Sequence, residues 1–229
     1  MSEPVLLLIG ASRGLGLALA KEFLARGWQV IATERQRSEA LHKLQDFARG
    51  RLEIETLDIL DDAAIAVLRS MLDGRRIDLL FVNAGVSNGA GERLQAVSSA
   101  EFQRVLATNA LAPLRVIDAF ASLVPAEGAI GVMSSGLGSV ANNTAGGWEV
   151  YRASKAALNT LVRSFAVQAA SRGKSFVVIA PGWVRTDMGG PNATLSIEES
   201  IPRVADVLTA HLGKPGVRFL NYLGETLPW

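Results

Sequence analysis

A doubly wound α/β domain, with one parallel sheet covered by helices on both faces, is the fold class this sequence predicts. Three observations lead there. Short apolar, β-branched runs recur along the chain with helix-like segments between them. Most of those runs are solidly apolar rather than alternating, as strands buried on both faces must be. The composition, 49% apolar and only 20% charged in 229 residues, provides for that much burial.

The strands are expected at Val5–Ile9, Gln29–Thr33, Leu52–Leu57, Asp78–Val82, Ala129–Met133, Ser175–Ala180 and Val217–Leu220, about seven in all. The first helix carries Leu15, Leu19, Phe23 and Leu24 on one stripe and ends at Gly27. Ile65, Leu68 and Leu72 mark another stripe. Ser98-Ser99-Ala100-Glu101 and Ser196-Ile197-Glu198-Glu199 read as capping boxes that open later helices. The Gly-, Pro-, Asn- and Thr-rich stretch from Thr186 to Ser196 reads as a mobile loop. With no internal repeat, low-complexity segment or long linker, residues 1–229 are expected to form a single domain, the small loop near 186–196 facing the substrate.

The composition also excludes function classes. The absence of cysteine removes thiol nucleophiles, disulfide scaffolds, iron–sulfur clusters and zinc ribbons. Two histidines, His42 and His211, cannot build a three-histidine zinc site, and no metal is expected. Both fall on predicted helices and read as surface residues. No G-x-S-x-G elbow is present, which argues against a serine hydrolase. A net charge of +1 provides no global field for nucleic acid or an anionic membrane. The apolar run Val5–Ile9 is far too short to span a bilayer, and it follows Glu3 and Pro4 rather than a basic region. A cytoplasmic location is the default expectation.

The first strand runs into Gly10-Ala11-Ser12-Arg13-Gly14-Leu15-Gly16, and a helix follows. Glycine there lets the backbone turn tightly and approach a pyrophosphate, while the helix N-terminus presents unpaired N–H groups to it. The G-x-x-x-G-x-G spacing is not that of a nucleoside-triphosphatase loop, and an ordinary tight turn is the bland alternative. The charged pair after the second strand favours a dinucleotide site. Glu34 would accept a hydrogen bond from a ribose 2′-hydroxyl and repel a 2′-phosphate, whereas Arg35 would bind that phosphate. Arg13 offers a second guanidinium. Two phosphate ligands against one carboxylate lean slightly toward NADP(H), with NAD(H) the alternative.

Tyr151-Arg152-Ala153-Ser154-Lys155 places Tyr151 and Lys155 on one helical face. A phenol with a pKa of about 10 is a poor base at neutral pH, and a nearby ammonium favours its ionised form. The pair suits carbonyl–alcohol interconversion. Ser134-Ser135, directly after an apolar strand, would present a hydroxyl to the reacting oxygen.

Taken together and in order, these motifs resemble the short-chain dehydrogenases/reductases over Val5–Trp229, within that family the C-factor and sniffer-type carbonyl reductase branch. Gly10, Gly14 and Gly16 match the family's glycine motif. Val82-Asn83-Ala84-Gly85 matches its N-A-G motif, and Pro181-Gly182 with Thr186 its P-G…T segment. The resemblance implies a single Rossmann-fold domain, with Asn109, Ser135, Tyr151 and Lys155 as the catalytic set. It implies cofactor contacts from Ser12, Leu15, Asp58, Ile59, Asn83, Ala84, Gly85, Pro181, Gly182, Val184 and Thr186, and again from Tyr151 and Lys155. In that scheme Tyr151 exchanges the oxygen's proton, Lys155 lowers its pKa and binds the nicotinamide ribose, Ser135 orients the carbonyl, and Asn109 holds a water in the relay. Ser135 precedes Tyr151 by 16 positions, three more than in many members, so Ser134 and Ser139 stand as substitutes. The extra residues are expected in Asn142–Trp148. Trp183 is the better candidate for a substrate pocket, with Trp148 and Met188 behind it. The implied activity is hydride transfer between NAD(P)H and a small carbonyl or alcohol. The implied assembly is a homodimer or homotetramer through Ala110–Val124 and the helix after Tyr151. The alternative is a non-catalytic or signalling dinucleotide-binding protein of C-factor type.

Overall fold

The computed structural model describes residues 3–88, 94–168 and 173–229. Seven strands form one sheet: β1 (Val5–Ile9), β2 (Gln29–Glu34), β3 (Leu52–Thr56), β4 (Leu79–Val82), β5 (Ala129–Met133), β6 (Ser175–Ala180) and β7 (Gly216–Asn221). Their order is β3-β2-β1-β4-β5-β6-β7, and every pairing is parallel. The order reverses between β1 and β4, so the crevice for a ligand opens beyond the carboxyl ends of those two strands.

The helices are α1 (Gly14–Ala25), α2 (Glu39–Phe47), α3 (Asp62–Met71), α4 (Ser99–Leu106), α5 (Ala112–Phe120), α6 (Glu149–Ala166) and α7 (Ile197–Ala210). Strand parity divides the core in two. Leu6 and Leu8 of β1, with Val30 and Ala32 of β2, pack in the layer that holds Leu19 and Phe23 of α1 and Val204 and Leu208 of α7. Leu7, Ile9 and Ile31 point the opposite way, into the layer with Ile65 and Leu68 of α3, Val116 and Phe120 of α5 and Leu158 of α6. Burial on both faces explains why the strands read as continuous apolar runs.

Three expectations are corrected here. Ser196 and Glu199 close a full capping box on α7, but at α4 only half the box forms. Ser98 accepts from the Glu101 amide, while the Glu101 carboxylate turns to Arg104, three residues on, at 2.7 Å. The 186–196 loop is tied down: Val184 bridges Leu195, and Arg185 donates to the Ala193 carbonyl at 2.9 Å. His42 is not a free surface residue, because its ring is partly buried against Glu34.

Candidate active site

The turn after β1 leaves no room for side chains. Gly10 has φ +87°, and a Cβ there would lie 2.8 Å from the Ala84 Cβ. A Cβ on Gly16 would lie 2.0 Å from the Gly10 carbonyl oxygen. That carbonyl accepts from Asn83 Nδ2 at 2.7 Å, which ties the β4 end to the β1 turn. The amide of Gly10 donates to Thr33 Oγ1 at 2.9 Å.

Beyond this turn α1 begins without a side-chain cap. By contrast α2, α3, α4 and α7 are capped by Ser38, Asp61, Ser98 and Ser196. Among the described residues the first amides of α1 therefore have no side-chain acceptor, and they open onto a cleft lined by Gly14 and Leu15, the usual arrangement of an anion site. Of the residues expected to hold a cofactor, the cleft wall brings together Gly10, Ser12, Arg13, Gly14, Leu15, Arg35, Asp58, Ile59, Asn83, Ala84, Gly85 and Thr186. Gly16 lies beneath the turn. Pro181, Gly182 and Val184 build the loop that brings Thr186 to the wall and do not line it themselves. Six wall residues were not anticipated: Thr33, Leu57, Leu60, Val86, Thr108 and Asp187. Thr33 was legible, since it shares strand parity with Arg35; Thr108 comes from a helical turn, and the others are brought in by loops.

Glu34 does not face this cleft. Counting by two along β2, Val30, Ala32 and Glu34 share the face toward α1 and α2, while Thr33 and Arg35 share the other. The Glu34 carboxylate is buried, accepting from the Ser38 amide at 2.7 Å and lying 2.8 Å from His42 Nε2. Arg35 is exposed on the cleft wall and makes no hydrogen bond or ion pair among the described residues. Arg13 reaches across to Asp187 at 2.7 Å, an exposed pair that joins the glycine turn to the 186–196 loop. An uncapped helix end, a cradle that a Cβ would fill and a free guanidinium fit a phosphorylated dinucleotide.

The reaction centre adjoins Gly85. A Cβ on Gly85 would lie 3.3 Å from Asn109 Oδ1 and 3.4 Å from Lys155 Nζ, so both buried groups pack directly behind this wall residue, while Tyr151 and Lys155, expected to touch the cofactor, do not line the cleft themselves. Asn109 sits in a π-helical turn, Ala107–Leu111, inserted between α4 and α5; such turns are frequent at functional sites. Its Nδ2 donates to Val86 O at 2.7 Å and Ser154 Oγ at 2.9 Å, and its Oδ1 accepts from Val86 N at 2.8 Å. That side chain is a brace between the β4 loop and α6.

On α6, Lys155 Nζ donates to the Met133 carbonyl at 2.9 Å and lies 5.7 Å from the centre of the Tyr151 ring. Hydrogen bonding by Ser135 favours the ionised form of Tyr151, and the Ser135 hydroxyl also accepts from the Leu137 amide at 3.1 Å. Ser134 and Ser139 are buried, Ser134 donating to Asn159 Oδ1 at 2.6 Å and Ser139 accepting from the Asn142 amide at 3.2 Å, whereas Ser135 is half-buried. Desolvation pushes the Tyr151 hydroxyl up to about 12 against the opposing hydrogen bond from Ser135, and pushes the Lys155 ammonium down to about 8. The shift runs opposite to the expected lowering by Lys155: burial raises the Tyr151 pKa and the opposing influence comes from Ser135, not from Lys155.

Gly146, Gly147 and Trp148 adopt three consecutive left-handed conformations just before α6. Trp148 packs edge-on to Tyr151 with centroids 6.2 Å apart. Met188 lines the cleft, whereas the Trp183 indole donates to the Gly189 carbonyl at 2.8 Å and braces the loop. Among the described residues no helix is long and apolar enough to cross a membrane, and no cluster of metal-ligating side chains occurs.

The short chain dehydrogenase family model matches residues 4–194. C-signal of Myxococcus xanthus is 41% identical over 158 residues, which is 67% of this chain and 93% of that protein. A short-chain dehydrogenase/reductase from Burkholderia multivorans, solved with bound NADP, is 50% identical with a TM-score of 0.96, each chain covered completely. The carbonyl reductase Sniffer of D. melanogaster is 32% identical with a TM-score of 0.87, again over the whole of both chains. The chain belongs to the short-chain dehydrogenase family.

Proposed function

We propose that this protein is an NADP(H)-dependent carbonyl reductase, with Tyr151 as its general acid and base. The observation that carries the proposal is the grouping of Tyr151 with Lys155, which lies 5.7 Å from its ring and close under Gly85 of the cleft wall, and with Ser135, whose hydrogen bonding favours the ionised phenol. When bound, the nicotinamide supplies or accepts the hydride; the protein supplies alignment and the proton. Tyr151, a neutral phenol across the physiological range, donates its proton to the oxygen of the carbonyl being reduced. Ser135 donates a hydrogen bond to that same oxygen. Lys155, held by the Met133 carbonyl, places a positive charge beside the phenol as negative charge develops there. Asn109 acts as a positioning residue, fixing the β4 loop against α6.

Arg35 supports the preference for NADP(H), because it lines the cleft while Glu34 faces away. NADP bound in the Burkholderia relative points the same way. The likeness to C-signal favours the second reading, a dinucleotide-binding protein that signals to a partner. The assembled Ser135–Tyr151–Lys155 group favours turnover, since binding alone has no use for it. Half-exposed Leu111 and Leu161 lie at the two helices through which a homodimer or homotetramer would form. We take the protein to act in the cytoplasm on a small carbonyl or alcohol. The test is consumption of NADPH with a panel of aldehydes, ketones and quinones. Turnover of at least one supports the reductase, and none at all favours the signalling reading.

A further inference from the structure

We infer that His42 is a specificity-determining residue, a clasp that holds the acidic Glu34 out of the adenosine end of the cleft so that Arg35 meets a 2′-phosphate unopposed. The inference rests on the NADP(H) reading above and extends it to a residue outside the cleft.

Glu34 stands at the end of β2, next to Arg35, the cleft-lining guanidinium that makes no hydrogen bond or ion pair among the described residues. A carboxylate there would compete for Arg35 and repel a phosphate. Strand parity turns the Glu34 side chain toward α2, and three contacts hold it there. The buried carboxylate accepts from the Ser38 amide on one oxygen and lies 2.8 Å from His42 Nε2 on the other. A carboxylate offers only acceptors, so His42 Nε2 carries the hydrogen. Ser38 Oγ in turn donates to the Ser12 carbonyl at 2.6 Å, joining the β2–α2 turn to the glycine turn. The clasp thus connects α2, the end of β2 and the phosphate cradle.

If His42 is removed, a buried carboxylate loses one of its two donors, and a buried charge without partners must find others. Two cations are at hand. One is Arg35, the adjacent residue. The other is Arg37, whose Nη1 lies 3.4 Å from His42 Nε2 and which can take the place of the imidazole. Removal of His42 alone is therefore buffered, and removal of both His42 and Arg37 leaves Arg35 as the remaining partner for Glu34.

The experiment measures NADPH and NADH affinities by fluorescence titration for the wild type, Arg37→Gln, His42→Leu, the Arg37→Gln/His42→Leu double variant, and that double variant with Glu34→Gln added. Thermal melting verifies that each is folded. A double variant that fails to fold is replaced by Arg37→Gln/His42→Asn. The clasp predicts an NADPH-over-NADH ratio lowered on the order of tenfold in the double variant, equivalent to about 1.4 kcal/mol. It predicts little change for Arg37→Gln alone and recovery when Glu34→Gln is added, because the repelling charge is gone. An unchanged ratio in the double variant overturns the clasp, and so does a lowered ratio that Glu34→Gln does not restore. A wild type that prefers NADH refutes the underlying cofactor reading instead, and that result is visible before any variant is made.

Discussion

Replacing Lys155 with methionine should make the protein more stable and abolish its turnover. Methionine has nearly the length of lysine and fills irregular core space without strain. Lys155 is 3% exposed, and among the described residues its ammonium donates to one acceptor, the Met133 carbonyl. The fall of its pKa from 10.5 to about 8 corresponds to roughly 3 kcal/mol of destabilisation at neutral pH. Methionine removes that cost but leaves the Met133 carbonyl without its donor, a loss of about 1–2 kcal/mol. The net gain is about 1–2 kcal/mol, which for a chain of this length raises Tm by roughly 2–8 °C.

The sign with pH is equally specific. Between about 8 and 10.5 the unfolded lysine binds more protons than the folded one, so wild-type stability rises through that window. The variant has no such group, and its advantage should shrink as pH is raised from 8 to 10.5. Differential scanning calorimetry at pH 7 and pH 10 measures both effects. A lower Tm for the variant at pH 7, or an advantage that does not shrink with pH, refutes the claim that Lys155 is a buried and destabilising charge.

Arg35→Ala should weaken NADPH binding about 10- to 100-fold while leaving NADH nearly unaffected, because only the 2′-phosphate needs the guanidinium; fluorescence titration separates the two. Gly16→Ala should deform the glycine turn, since its Cβ would fall 2.0 Å from the Gly10 oxygen, and a lowered Tm with loss of NADPH binding would be its signature. The reduction rate should decline as pH rises through about 8, where Lys155 loses its proton while Tyr151 stays protonated to about 12. Steady-state rates from pH 6 to 10 check the position of that decline.

The sheet was legible because strands buried on both faces must be continuously apolar, and every expected strand lies within a residue of its observed ends. The glycine turn was legible because the backbone there tolerates no side chain. Glu34 was misread for a geometric reason. Strand parity, countable from Val30 and Ala32, already assigned it to the α2 face, but its partner His42 comes from a different element and left no periodic signal. The half-formed box at Ser98 has a similar origin, since Arg104 competes for Glu101 from the next turn of the same helix. The direction of the Tyr151 shift was out of reach, because residue spacing reports that Lys155 is near and not how completely the two are desolvated.

The central claim is that Tyr151 transfers the proton, and the most direct measurement is single-turnover carbonyl reduction by Tyr151→Phe beside the wild type. The substitution removes one hydroxyl and leaves the cleft wall, to which Tyr151 does not belong, intact. The account predicts NADPH affinity within about twofold of wild type and a reduction rate lower by about 10²- to 10⁴-fold, the usual worth of a positioned general acid. A variant that reduces the same carbonyl at a rate close to wild type would contradict it.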